Sequence, residues 1–282
     1  MGRNFHKPTV SVIGGDKRSE ILAELLTESG YDTIYAEDND TIRSALNRRC
    51  IVLPLPVTRD GRTLNSQAVN DTVLLVDIIN NIHPHSRILC GGLSEALKTD
   101  IENTGARAVD YYNREQVLLD NAYLTAEGVL KLLIENTDTA VIDKKILIIG
   151  SGRCGKATAL LLKKIGCDVT VASRKAGLVG FDLLNRIKIK NTADISQYIA
   201  DFDVVINTAP VLVLDREVLS ATRNDTLILE LATAHAGVDA NVATELGIKT
   251  VYAPALPGKY SPTSAAKILY NSIIQIISEE FA

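Results

Sequence analysis

Short apolar runs, each left through glycine, proline or a polar turn, alternate along the chain with stretches whose apolar positions recur three and four residues apart. The first pattern suits strands buried on both faces of a parallel sheet, and the second suits amphipathic helices. Strands are expected at Thr9–Ile13, Thr33–Ala36, Ile51–Leu53 and Arg87–Cys90, with a short one near Ala108-Val109. Between them, one helix carries Ile21, Leu22, Leu25 and Leu26 on a single face, a second carries Val73 to Ile79, and a third opens at Ser94. The polar stretch Thr58–Asn70 reads as a loop. A second series of strands is expected at Lys145–Ile149, Asp168–Ala172, Asp203–Ile206, Thr226–Leu229 and Ile248–Val251. A long helix, Asn121–Asn136, separates the two series, and another, Ser264–Glu279, follows them.

This alternation predicts an α/β fold: two doubly wound parallel-sheet (Rossmann-like) domains joined by a long interdomain helix. The N-terminal domain is expected to be flavodoxin-like or Rossmann-like. The boundaries read as 1–120 for a substrate-side domain and 121–137 for the interdomain helix lining the cleft. A nucleotide-binding domain over 138–260 follows, and then a C-terminal helix over 261–282 that packs back across the junction.

The most specific stretch is Gly150-Ser151-Gly152-Arg153-Cys154-Gly155, which leaves a strand and enters a helix that Gly166 closes. This is G-x-G-x-x-G in the strand–turn–helix setting that dinucleotide binding requires. Gly150 permits the tight turn, Gly152 lets backbone approach a pyrophosphate, and Gly155 lets helix and strand pack closely. The helix N-terminus then offers unpaired N–H groups and partial positive charge to the phosphates.

An NAD site usually ends the following strand in a carboxylate that accepts from the ribose hydroxyls. Here the strand runs into Ser173-Arg174-Lys175, with no carboxylate before Asp182. A hydroxyl, a guanidinium and an ammonium suit a 2′-phosphate, so NADP is the expected cofactor, with NAD the alternative. A solvated basic turn is the plainer explanation of the same residues.

Composition narrows the classes. At 282 residues, 46% hydrophobic and with a formal net charge of −4, the chain reads as an ordinary globular protein of two domains. Nothing in that balance favours nucleic acid or an anionic membrane as partner, and no run approaches the ~20 apolar residues of a membrane span. Cys50, Cys90, Cys154 and Cys167 are scattered without metal-ligand spacing, which suggests reduced thiols, no metal and a cytoplasmic protein.

Ligands of such folds bind outside the carboxyl ends of the strands. Gly14-Gly15-Asp16-Lys17-Arg18 opens a helix there and could hold a carboxylate through backbone N–H groups and Arg18, or could be a tight turn with solvated charges. Gly91-Gly92 with Ser94 is a similar anion nest or a helix cap. Asn207, Thr208 and Pro210 end a strand where the nicotinamide should lie, and small polar groups there would orient its carboxamide. Leu256 to Thr263 reads as a loop crossing the cleft, with Lys259 placed for a substrate carboxylate and Thr263 as a candidate cap. His235 is the one histidine with a catalytic position to consider, and a partly exposed loop residue is the preferred reading of it.

Taken in order, several stretches resemble the family of the dipicolinate synthase A-subunit over nearly the whole chain. They are Val12-Ile13-Gly14-Gly15-Asp16 with Arg18, Thr125-Ala126-Glu127-Gly128, the Gly150–Gly155 turn, Ile206-Asn207-Thr208 with Pro210, and Leu256-Pro257-Gly258 followed by Pro262 and Thr263. The resemblance implies two α/β domains like those of 2-hydroxyacid and alanine dehydrogenases. It also implies oxidation of dihydrodipicolinate to dipicolinate with a nicotinamide cofactor. A flavoprotein-like second component, the synthase's B-subunit, is the implied partner, and the mother cell of a sporulating bacterium is the implied setting. A homo-oligomer is expected. Where the family tends to read L-A-S-x-P-G-G, this chain has Leu231-Ala232-Thr233-Ala234-His235-Ala236-Gly237, so that loop is expected to take another path. Ser261 and Ser264 also stand where the family often has alanine and a small residue.

Removing hydride from a dihydropyridine yields an aromatic ring, so the chemistry asks mainly for positioning. On this reading Arg18 and Lys259 hold two carboxylates, with Thr125 and Glu127 on the bridging helix at the cleft. Glu127 is a candidate proton acceptor or a plain helix-surface carboxylate. Two rivals stand beside this. A 2-hydroxyacid dehydrogenase needs a histidine near the closing helix, and Tyr252–Pro257 has none. A non-catalytic NADP-binding regulatory or scaffold protein fits the thin catalytic inventory.

Overall fold

The computed structural model describes residues 7–67, 72–174, 185–232 and 237–281. The chain divides into two compact units, residues 1–120 with 261–282, and residues 121–260.

In the first unit β1 (Val10–Ile13), α1 (Lys17–Glu28), β2 (Thr33–Ala36), α2 (Asn39–Ala45), β3 (Cys50–Val52), α3 (Leu75–Asn80), β4 (Arg87–Cys90), α4 (Glu95–Glu102) and β5 (Arg107–Asp110) alternate along the chain. The strands form a parallel sheet in the order β2-β1-β3-β4-β5. That is the flavodoxin-like order, and it decides between the two arrangements expected for this half. Every residue of β1 is buried, and the hydroxyl of Ser11, the one polar residue in that strand, donates to Ala45 O at 2.9 Å. Apolar spacing gives no sign of the polar α2; Asp38 and Thr41 start it with a reciprocal capping box.

α5 (Glu115–Asn136) begins six residues earlier than the sequence reading, taking in the apolar run Val117-Leu118-Leu119, and it runs from the first unit into the second. In the second unit β6 (Lys145–Ile149), α6 (Arg153–Lys164), β7 (Asp168–Ala172), β8 (Lys188–Lys190), β9 (Val204–Asn207), α7 (Arg216–Ser220), β10 (Leu227–Glu230), α8 (Ala240–Glu245) and β11 (Thr250–Tyr252) follow. Their sheet order is β11-β10-β9-β6-β7-β8, all parallel, which is the order of a dinucleotide-binding fold. Ile146 and Ile148 pack with Val129, Leu133 and Leu162 on one face, whereas Leu147 and Ile149 pack with Ile195, Ile199 and Val218 on the other. The unbroken apolar run of β6 thus reflects a strand covered on both sides.

Two expectations near the C-terminus are corrected. Leu256 to Thr263 is not a loop: α9 (Leu256–Tyr260) is helical, and Leu256 seats on α5, where a side chain at Gly128 would bring its Cβ to 2.7 Å from Leu256 Cβ. Thr263 is not the cap, since α10 (Pro262–Phe281) starts one residue earlier with proline in the first helical position. α10 belongs to the first unit, where Leu269, Ile273, Ile276 and Ile277 pack with Leu22 and Leu26 of α1.

Candidate functional site

The second unit places the glycine turn where a nucleotide site needs it. Gly150 has φ +107°, and a side chain there would collide with Thr208 Oγ1. A Cβ on Gly155 would collide with the carbonyl oxygen of Gly150, so strand exit and helix pack backbone to backbone. Gly152 differs from both: nothing lies within 4 Å of where its Cβ would stand. It is also the N-cap of α6, so the capping position itself carries no side chain. Open space in front of such a helix N-terminus is what a pyrophosphate fits.

Beside the turn lies a cavity of about 420 Å³, a usual size for a small-molecule site, whose lining includes Gly150, Ser151, Ser173, Arg174, Thr192 and Val211. Ser151 and Ser173 share a hydroxyl–hydroxyl bond of 2.8 Å between the turn and the end of β7. Arg174 is exposed and has no partner among the described residues, while Lys175 lies outside them. The carboxylates on the wall, Asp215 and Glu217, are engaged with Val218 N (3.1 Å) and Ser196 Oγ (3.1 Å). Where a ribose-binding carboxylate is usual, the chain therefore offers a hydroxyl and a free guanidinium.

The end of β9 is organised differently from the expectation. Asn207 is fully buried, and its Nδ2 donates to Glu230 Oε2 (2.9 Å), Glu230 Oε1 (3.1 Å) and Ala209 O (3.1 Å). Its Oδ1 accepts from Ala209 N at 3.2 Å. Burial obliges the Asn207 side chain to bond within the protein. It shapes the turn into the cavity wall. Thr208 Oγ1 donates to Ile149 O at 2.9 Å, and Pro210 is exposed. Glu230, 2% exposed, also accepts from Ala232 N at 2.7 Å. Sequence reasoning missed this residue, although a carboxylate ending the apolar run Leu227-Ile228-Leu229 was a visible sign. His235 and Ala236 lie outside the described residues.

Thr125 is buried, and its hydroxyl donates to Asn121 O at 2.8 Å and meets the Cys154 thiol. It ties α5 to α6 among Ala122, Ala126 and Ala157, small residues that let the helices approach. Burial pushes the Cys154 thiol up, against the opposing effects of Thr125 and Arg153, so it is not a reactive thiolate. Arg153 and Glu127 are exposed. Lys259 is exposed too, its Nζ 5.0 Å from the centre of the Tyr260 ring.

In the first unit the turn after β1 holds a buried guanidinium paired with a carboxylate. Arg18 is 7% exposed, with Nε 2.9 Å from Asp16 Oδ1, Nη2 2.7 Å from Asp16 Oδ2, and Nη2 2.8 Å from Leu55 O. Asp16 also caps α1 by accepting from Arg18 N at 3.0 Å. Burial would raise the Asp16 carboxyl, but the Arg18 bonds and charge outweigh it and hold it below the ordinary value of 3.8. Gly91-Gly92, by contrast, is filled from within: Asp110 accepts from Gly92 N (3.4 Å) and Leu93 N (2.9 Å), and Ser94 is a helix cap. Among the described residues no three His, Cys, Asp or Glu side chains could hold a metal, and no helix is long and apolar enough to cross a membrane.

Comparison with known proteins agrees with this division. Residues 9–112 match the family described as the N-terminal domain of the dipicolinate synthase A-subunit, and residues 139–243 match that described as Putative NAD(P)-binding. The chain is 28% identical to the dipicolinate synthase A-subunit of Bacillus subtilis (strain 168) over 96% of each sequence. The crystal structure of that Bacillus subtilis protein superposes with a TM-score of 0.83 at 25% identity, covering 98% of this chain and 97% of that one. Its counterpart from Bacillus halodurans superposes with a TM-score of 0.85 at 24% identity, covering 96% and 97%.

Proposed function

From a chain related over nearly its whole length to the dipicolinate synthase A-subunit, with an NAD(P)-binding domain, we propose an NADP-dependent dehydrogenase that oxidises dihydrodipicolinate to dipicolinate. The observation that supports it most is the open front of α6 at Gly152 beside a cavity edged by Ser173 and Arg174. Backbone N–H groups of the α6 N-terminus hold the pyrophosphate, and Ser173 and Arg174 hold the 2′-phosphate. Bound there, the nicotinamide supplies the hydride acceptor. Arg18 holds a substrate carboxylate, Lys259 offers a second cation for the other, and the proton released as the ring becomes aromatic leaves to solvent or to exposed Glu127.

The proposal extends to a homo-oligomer in the mother cell of a sporulating bacterium that works with the synthase's B-subunit, and likeness to an A-subunit supports the last of these. The test supplies freshly generated dihydrodipicolinate and NADP to that second component, with and without this chain, and follows dipicolinate absorbance. Dipicolinate forming faster when this chain is present supports the enzyme. Equal rates without it leave a nucleotide-binding scaffold, the reading that the scarcity of free acid–base groups at the cavity otherwise favours.

A further inference from the structure

We propose that Asp16 is a positioning residue for substrate binding: it locks the Arg18 guanidinium so that one edge, Nη1, is presented to a carboxylate of the diacid. The inference rests on the assignment of Arg18 to the substrate and deepens it.

A guanidinium has five donors in a rigid planar fork. In Arg18 the Nε and Nη2 edge is consumed: Nε lies 2.9 and 3.2 Å from the two Asp16 oxygens, and Nη2 lies 2.7 Å from Asp16 Oδ2 and 2.8 Å from Leu55 O. The remaining nitrogen, Nη1, has no partner among the described residues. Nor is it enclosed, since the enclosed side-chain polar atoms without a partner there are Thr158 Oγ1 and Thr192 Oγ1. A residue 7% exposed thus keeps one accessible, unpaired donor group. A long flexible arginine held this way loses its rotamer freedom on folding and not on binding, which is how preorganisation raises affinity. Buried cations are also costly without a counter-charge, and Asp16 supplies it. The carbonyl that fixes the second corner is placed by neighbouring bonds, with Tyr111 Oη donating to Leu53 O at 3.0 Å in the same segment.

The arrangement makes a counter-intuitive prediction. Coulomb's law alone says that removing the Asp16 charge should tighten the binding of a dianion. Positioning says that it should weaken it, because the fork is released. The helix cap does not confuse the two, since serine and asparagine cap as well as aspartate. The experiment titrates dipicolinate into the full-length wild-type protein and its Asp16→Ser, Asp16→Asn and Arg18→Gln variants by calorimetry, with NADPH affinity and Tm measured alongside. The expected result is weaker dipicolinate binding by about tenfold or more in both Asp16 variants, with NADPH affinity kept. Binding as tight as wild type or tighter in the Asp16 variants, with Arg18→Gln still weakened, overturns the positioning role and leaves the proposed function standing. A loss of Tm with unchanged dipicolinate affinity would make the pair purely structural. Unchanged binding in Arg18→Gln, or none in the wild type, removes the substrate assignment itself.

Discussion

Replacing Gly152 by alanine separates a glycine kept for a ligand from one kept for the fold. Its backbone, at φ −71° and ψ −173°, is open to any residue, and nothing lies within 4 Å of the new methyl. Restricting the unfolded chain stabilises by about 0.4–1 kcal/mol. Alanine at an N-cap loses up to about 1 kcal/mol against glycine. The two effects offset, so Gly152→Ala should unfold within about 1 kcal/mol of the wild type. The methyl nevertheless occupies the space through which backbone meets pyrophosphate. A bond from an N–H to a charged group contributes about 1.5–3 kcal/mol, so losing one weakens NADPH binding roughly 10- to 150-fold. Gly155→Ala is the contrast: its methyl would collide with the Gly150 carbonyl, destabilising the fold by about 1–3 kcal/mol whatever ligand is present. Fluorescence titration with NADPH and urea unfolding of both variants read the two effects. Wild-type NADPH affinity in Gly152→Ala would refute the placement of the pyrophosphate.

Three other expectations concern charge and core. Arg174→Ala should weaken NADPH binding about tenfold while leaving NADH unchanged, since only the 2′-phosphate meets the guanidinium; paired titrations check it. Leu147→Ala, at a fully buried site in β6, should cost about 2–5 kcal/mol in urea unfolding with no preference between cofactors. The Asp16 carboxyl is held below its ordinary 3.8 in the folded protein, so the Asp16–Arg18 pair stabilises fully above about pH 4 and is lost as pH falls below it. The stability difference between wild type and Asp16→Asn should therefore shrink on acidification below pH 4, and a difference that grows would contradict the pairing.

Much of the architecture was legible because it is local. β4 and β6 run over the residues that their apolar runs indicate, and the Gly150–Gly155 turn carries its strand and helix with it. Elements whose stability comes from elsewhere were not visible. β8 is three residues, Lys188-Ile189-Lys190, with one apolar side chain, and exists because β7 offers it a paired edge. α9 is helical despite Pro257 and Gly258 because Leu256 finds its seat against Gly128. The candidate site divides the same way. Glycine spacing announced the phosphate turn, but nothing near Asn207 in sequence reveals that Glu230, on a neighbouring strand, claims its side chain. Lone residues were read by type, whereas their internal bonds, such as Thr125 to Asn121 and Asn207 to Glu230, are set by burial and by partners elsewhere in the fold.

On the proposed function, this chain couples oxidation of a dihydropyridine diacid to reduction of NADP. Its most direct test follows dipicolinate and NADPH together after dihydrodipicolinate is added to the purified protein with NADP and the synthase's B-subunit. The two products should appear in equimolar amounts, and at limiting NADP Gly152→Ala should slow both. Dipicolinate formed without NADPH, or at the same rate when NADP is left out, would contradict it.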